Sequence, residues 1–438
     1  MYDEKFLDLL ERELVVALGC TEPNSIAYAA ALAKKYAKGN KINKVEVIAS
    51  RNVIKNAMSV GIPGTDSCGI NLAAALGIFA KDLDKNLEVL ANLKDHDIEN
   101  AQKMIEMGLV TVQLANSPKK LYVEVIVETE DSNSRVIIED IHNNVVLIEV
   151  NGKNIVDIQK STDKQIFNYD LTEENLDFLS VDSIWEFVNH VNIKKLDLIR
   201  ESIKLNMEIC LEGLDKPYGL HVGRSIKSNM ENGFIADDAA NYATALTAAG
   251  SDARMAGSIL PVMSNSGSGN QGISATIPVV AFAEKLDSNE DTLIRGVVLS
   301  NLITIYIKAI LGRLSSLCGA TISATGACCG ITYLMGGGEG EIKSSIQNIL
   351  GNITGMICDG AKAGCALKVA TCTTAAIQST IVTLEGNSIK STEGIIEKNP
   401  DDTIKNFCRV GNDGMKDADK IILDIMLQKS NNNSKTIL

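Results

Sequence analysis

The chain has 438 residues, with 42 Lys and Arg against 55 Asp and Glu, a formal net charge of −13. Such acidity argues against nucleic acid as the main partner, because a phosphate binder needs a basic surface. Hydrophobic residues make up 45% and charged ones 22%, the balance of a packed globule, while aromatics at 4% and 34 Gly demand a core built on close backbone approach.

The opening MYDEKFLDLLERELV carries acids where a secretory signal carries a basic start. The longest mainly apolar run, residues 296–307, is bounded by Arg295 and Lys308 and is shorter than a bilayer span. These features lead us to expect a cytoplasmic chain with no membrane association. Its ten cysteines are then packing residues, reactive thiols or metal ligands rather than a disulfide framework.

In chain order, Phe6, Leu7, Leu10, Leu14 and Leu18 recur at helical spacing, and Thr21-Glu22-Pro23 reads as the cap of a second helix ending near Gly39. From about 42 to 160 the period falls to two. Val45, Val47 and Ala49 read as one strand and Leu121, Val123, Val125 and Val127 as another. Segments 134–140 and 144–150 read as a hairpin across His142-Asn143, with a tight turn at Asn151-Gly152. Helices are expected at 66–81 and 98–108. Residues 159–174 are polar and read as a linker. Beyond them helices are expected at 183–194, 198–211, 237–249, 273–285, 293–316 and 341–356, and the Ser- and Asn-rich run 429–435 reads as a frayed tail. The reading is an α+β protein. Its expected parts are N-terminal helices (1–40) packing on a helical domain, an α+β domain with antiparallel strands (41–165), and the helical domain itself (166–438).

Four segments carry residue types suited to chemistry. Cys20 sits directly before a helix N-terminus in Gly-Cys-Thr-Glu-Pro, where orphan amides and the helix dipole favour a thiolate. Position alone leaves it as a reactive thiol, a ligand or a packing residue. Residues 52–66, read as a loop between strand and helix, concentrate Asn52, Lys55 and Asn56, donors that match a carboxylate. Residues 264–272, Ser-Asn-Ser-Gly-Ser-Gly-Asn-Gln-Gly, formally contain GxGxxG. With helices expected on both sides they lack the βαβ setting of a dinucleotide site, and they read as a carboxylate cradle or a flexible turn. Finally, six of the ten cysteines fall within residues 318–372. No CxxC and none of the four His lies there, which disfavours zinc. Cys358, Cys365 and Cys372 on one helix would stand about 10.5 Å apart along its axis. A loop through Gly360 and Gly364 would instead let Cys358 and Cys365 reach one cofactor; packing between tight helices is the alternative.

Taken together, GCTEP, NVIKNAMSVGIPGT, SGSGNQGI, LCGATISATGACCG and MICDGAKAGCALK resemble the L-cysteine desulfidase family, itself related to the iron–sulfur L-serine dehydratase alpha domain. The resemblance implies a mainly helical serine-dehydratase-alpha-like domain and an oxygen-sensitive [4Fe–4S] enzyme. Such an enzyme converts L-cysteine to pyruvate, ammonia and sulfide without pyridoxal phosphate. By motif it implies Cys318, Cys358 and Cys365 as cluster ligands, and Cys20 as the catalytic base or, in place of Cys365, the third ligand. Cys328, Cys329 and Cys372 are left as packing. The substrate carboxylate is then expected on Ser264, Asn265, Ser266, Gly267 and Gly269, with Asn52, Lys55 or Asn56. L-serine dehydration and a cluster-free amino-acid-binding protein are the alternatives, and a nicotinamide oxidoreductase based on residues 267–272 ranks last. Gly-rich helical faces are compatible with a homodimer.

Overall fold

The structure, a computed structural model, describes residues 2–65, 67–157 and 177–432, so the expected linker at 159–174 lies outside the described residues. Helix α1 (Tyr2–Glu13) buries Phe6, Leu9 and Leu10. The helical spacing continues to Leu18, but the helix stops at Glu13 and Leu14–Leu18 form strand β1. The cause is tertiary: Pro261–Asn265 supplies an antiparallel partner, Leu14 opposite Asn265, and ladder pairing outweighs local periodicity.

Next come α2 (Thr21–Tyr36), β2 (Ile42–Ala49), α3 (Arg51–Ala57), α4 (Ile70–Phe79), α5 (Asp95–Glu106), β3 (Val110–Leu114), β4 (Tyr122–Thr129), β5 (Asn133–Glu139), β6 (Val145–Val150) and β7 (Lys153–Asp157). The segment opening at Asn52, read above as a loop, therefore begins inside a short helix. Strands β2 to β7 form one sheet in the order β3-β2-β4-β5-β6-β7. All its pairs are antiparallel except β2 with β3, which run parallel because three helices carry the chain back between them. The hairpin across His142-Asn143 is present. The Asn151-Gly152 turn follows it with φ of 50° and 78°, the left-handed pair that a two-residue hairpin needs.

The helical body comprises α6 (Val181–His190), α7 (Asp197–Asp215), α8 (Val222–Glu231), α9 (Ala239–Met255), β8 (Pro261–Asn265), α10 (Gly269–Lys285), α11 (Glu290–Leu311), α12 (Gly319–Leu334), α13 (Glu339–Ile353), α14 (Cys365–Leu384) and α15 (Pro400–Arg409). The six helices expected here are α6, α7, α9, α10, α11 and α13; α11 stops early because Gly312 turns at φ 91°. Helix α12 sits at the centre, packed on α10, α11, α13 and α14, and it is built almost wholly from Gly, Ala, Ser, Thr and Cys. A Cβ at Gly326 would stand 2.1 Å from the Ser300 carbonyl, so small residues are what let α12 lie against α11. Helices α11 and α14 are long and apolar enough to cross a membrane by composition alone, yet α11 has Val297, Leu302 and Ile303 fully covered by its neighbours.

Among the described residues two large hydrophobic cores result, with two small clusters beside them. Helix α1 joins the core of the helical body, whereas α2 joins the core under the sheet, so residues 1–40 divide between the two. Helix α16 (Ala418–Asn432) returns to pack on α3 and places Leu423 in the sheet core. The run expected as a frayed tail is thus helical as far as Asn432; residues 433–435 lie outside the described residues.

Candidate active site

Cys20 is the N-cap of α2, Cys318 the N-cap of α12, and Cys365 the first residue of α14. Cys358 precedes the loop that leads into α14. All four line one cavity of about 100 Å³, together with Thr21, Glu22, Asn56, Arg254, Ser268, Asn270 and Gln271. Residues from the first turns of α2, α10, α12 and α14 therefore share one wall. Four positive helix ends favour bound anions and thiolates there. The ten cysteines are all free thiols.

Backbone pairing sets Cys318 beside Cys358. The Cys318 amide donates to the Met356 carbonyl at 2.9 Å and the Cys358 amide to the Ser316 carbonyl at 2.8 Å, flanking a bridge between Leu317 and Ile357. The chain then turns through Gly360 at φ 95°, where a Cβ would stand 2.4 Å from the Lys55 carbonyl. That turn brings Cys365 to the cavity, as the expected loop required, while Cys372 is buried one helical stretch on. Desolvation pushes the Cys318 thiol up, and the thiols of Cys358, Cys372 and Cys365 add to the shift. Burial also raises Cys365, opposed by Lys362 and Lys368 nearby. These two lysines bracket Asp359, whose carboxyl they hold down at about 2 against the effect of burial.

Cys20 departs from expectation. It is 3% exposed, and burial, followed by the Glu22 carboxylate, pushes its thiol well above the usual range despite the helix end and the opposing Arg254. Its Sγ donates to Glu22 Oε2 at 3.1 Å. Glu22 also accepts from Thr21 Oγ1 at 3.2 Å and from Asn56 Nδ2 at 2.9 Å, and His142 Nε2 lies 3.7 Å away. Burial alone would raise this carboxyl, but His142, Asn56 and Cys20 together hold it well below its ordinary range. Asn24, one turn into α2, fixes the approach by donating to the carbonyls of Leu18 and Cys20.

Of the expected carboxylate residues only Asn56 lines this cavity. Lys55 is 1% exposed, ion-paired to Asp419 of α16, and donates to the Cys358 carbonyl at 3.2 Å. It braces the cysteine loop instead of facing a ligand. Replacing Lys55 by Met is expected to cost about 3 kcal/mol of stability, since it strands one partner of a largely buried ion pair. Iron content per chain should fall with it while KM stays unchanged, checked by denaturant titration, iron assay and kinetics. Asn52 is buried away from the cavity. Ser264 Oγ donates to the Val15 carbonyl, and Asn265 is tied to Asn301 and Gln271. Ser266 and Gly267 line two larger cavities, about 360 and 380 Å³, which contain no cysteine, and Gly269 only begins α10. The strand β8 before this segment, missed from sequence, pairs antiparallel with β1, so the segment still has no βαβ setting.

Glu22, Arg254, Asn270, Gln271 and His142 were not singled out from sequence. Glu22 and the two amides lie within motifs that were, whereas Arg254 and His142 have no local signal. Among the described residues no group of three or more His, Cys, Asp or Glu converges on a single metal ion. A four-iron cluster fits better, because its thiolates attach to separate irons and need only face a common space. Asn56, Arg254, Asn270 and Gln271 each keep a buried polar atom with no protein partner, which also marks the cavity as a ligand site.

Residues 84–424 match the serine dehydratase alpha chain family. A UPF0597 protein of Oleidesulfovibrio alaskensis is 44% identical over 97% of this chain and 98% of its own. UPF0597 proteins of Clostridium perfringens and Shewanella pealeana are 43% and 41% identical, covering 98% and 97% of this chain and 99% and 98% of their own. The chain belongs to the serine dehydratase alpha chain family, alongside these UPF0597 proteins.

Proposed function

We propose that the protein is a [4Fe–4S]-dependent L-cysteine desulfidase: L-cysteine and water give pyruvate, ammonia and hydrogen sulfide. The observation that supports this reading is the single cavity shared by Cys20, Cys318 and Cys365, each at a helix N-terminus, and by Cys358 of the neighbouring loop. In this reading Cys318, Cys358 and Cys365 would hold the cluster. When bound, the cluster supplies a Lewis acid that draws charge from the substituent on Cβ. Cys20 Sγ, having given up its proton to solvent, takes the Cα proton, while Glu22 Oε2, its hydrogen-bond partner at 3.1 Å, stays ionised and orients it. The Cα–H pair becomes the Cα–Cβ double bond while the β-substituent leaves with its bonding pair. The resulting aminoacrylate tautomerises and hydrolyses in water. Among the described residues no lysine lines the cavity, so none of them offers a pyridoxal Schiff base an attachment there.

The family match favours a second reading, dehydration of L-serine at the same site. Anaerobic reconstitution with iron and sulfide, removal of excess sulfide, and paired assays of sulfide from L-cysteine and pyruvate from L-serine separate the two. We expect a broad visible absorbance and a larger kcat/KM for L-cysteine. A preference for L-serine would move the assignment to the dehydratase, and a colourless protein without product would leave an amino-acid-binding protein.

A further inference from the structure

We propose that Arg254 is the receptor for the α-carboxylate of the substrate, which makes the ligand class an α-amino acid read by its charged ends. The inference deepens the function proposed above and rests on that reading for the identity of the site.

Arg254 lies in the last turn of α9, is 3% exposed, and lines the cavity with Cys20 and the three clustered cysteines. Its Nε is buried without a partner, and among the described residues its guanidinium forms no ion pair. A guanidinium cannot shed its charge by losing a proton, so burial without a counter-ion is costly unless a ligand brings the negative charge. The nearby acid, Glu22, does not supply it, since its carboxylate is already engaged by Asn56, Thr21 and Cys20.

The chain also clears space for this group. A Cβ at Gly269 would stand 2.2 Å from Arg254 Nε and 2.7 Å from Cζ. Gly269, expected from sequence to touch substrate through its backbone, serves by leaving room for the guanidinium. A planar fork of donors matches a carboxylate in two parallel hydrogen bonds. The amide oxygens of Asn270 and Gln271, both buried without partners, are acceptors left for the ammonium group. Two opposite ends read at once would orient Cα toward Cys20.

The test is equilibrium binding, which does not depend on turnover. L-alanine and L-alaninamide carry no β-leaving group and differ only in the charge of the carboxyl end. Calorimetry on the cluster-loaded protein under anaerobic conditions should show L-alanine bound roughly 100-fold more tightly than the amide. Arg254→Met should cut that preference to below about fivefold with iron content and thermal midpoint retained. Arg254→Lys, which keeps the charge but loses the fork, should fall between and serves if the Met variant does not fold. A preference that persists in Arg254→Met, or a wild-type protein indifferent to the carboxylate, overturns the proposal. Arg254-dependent binding of L-alanine in a protein that releases no sulfide from L-cysteine upholds the proposal and sinks the desulfidase reading alone.

Discussion

Replacing Cys318 by alanine is expected to abolish the iron–sulfur absorbance of the reconstituted protein and reduce turnover to background. Of the thiols around it, Cys358 and Cys365 are themselves expected ligands, and Cys372 is 1% exposed within α14. Alanine should be tolerated by the fold, because the clamp on this segment is made by backbone groups, the Cys318 amide on the Met356 carbonyl and the Cys358 amide on the Ser316 carbonyl. Cys358→Ala should behave alike for the same reason. Iron and sulfide assays on protein with an unchanged circular dichroism spectrum check the result. A full cluster in either variant would remove that residue from the ligand set.

Cys20→Ala should separate binding from chemistry. We expect iron content and KM to hold while kcat falls by about 10²–10⁴-fold, the usual contribution of one positioned proton-transfer group. The retained KM follows from Arg254, Asn270 and Gln271 lying on the wall independently of Cys20. Glu22→Gln should lower kcat as well, because the Cys20 thiol then loses the carboxylate that orients it. Loss of iron in Cys20→Ala would instead place Cys20 among the ligands.

The residues alone left the cysteines as ligands, reactive thiols or packing; the motif resemblance singled out Cys20, Cys318, Cys358 and Cys365, and these four line one cavity. Hairpins and amphipathic helices were legible from their local spacing. Strand β1 was not, since its hydrophobic spacing satisfies a helix equally well and only the distant strand β8 decides the matter. Lys55 misled in a different way. Its charge and neighbours describe a ligand-binding residue, and nothing nearby in sequence reveals that Asp419, far along the chain, claims its ammonium group. Arg254 was invisible because an arginine near the end of an alanine-rich helix reads as a solvated face. Its burial follows from how α9 meets the glycine at 269.

The hold of Asp419 on Lys55, and of Lys55 on the Cys358 carbonyl, ties the timing of assembly to synthesis. Between the emergence of Cys365, the last of the three expected ligands, and that of Asp419 lie 419 − 365 = 54 residues, roughly 3–11 s of translation. During that interval the nascent chain carries its thiols without the brace that fixes one of them. Metal delivered early would meet an unfinished nest of sulfurs. A cluster donated after release meets a pocket already shaped, so maturation of this enzyme is expected to be a post-translational event.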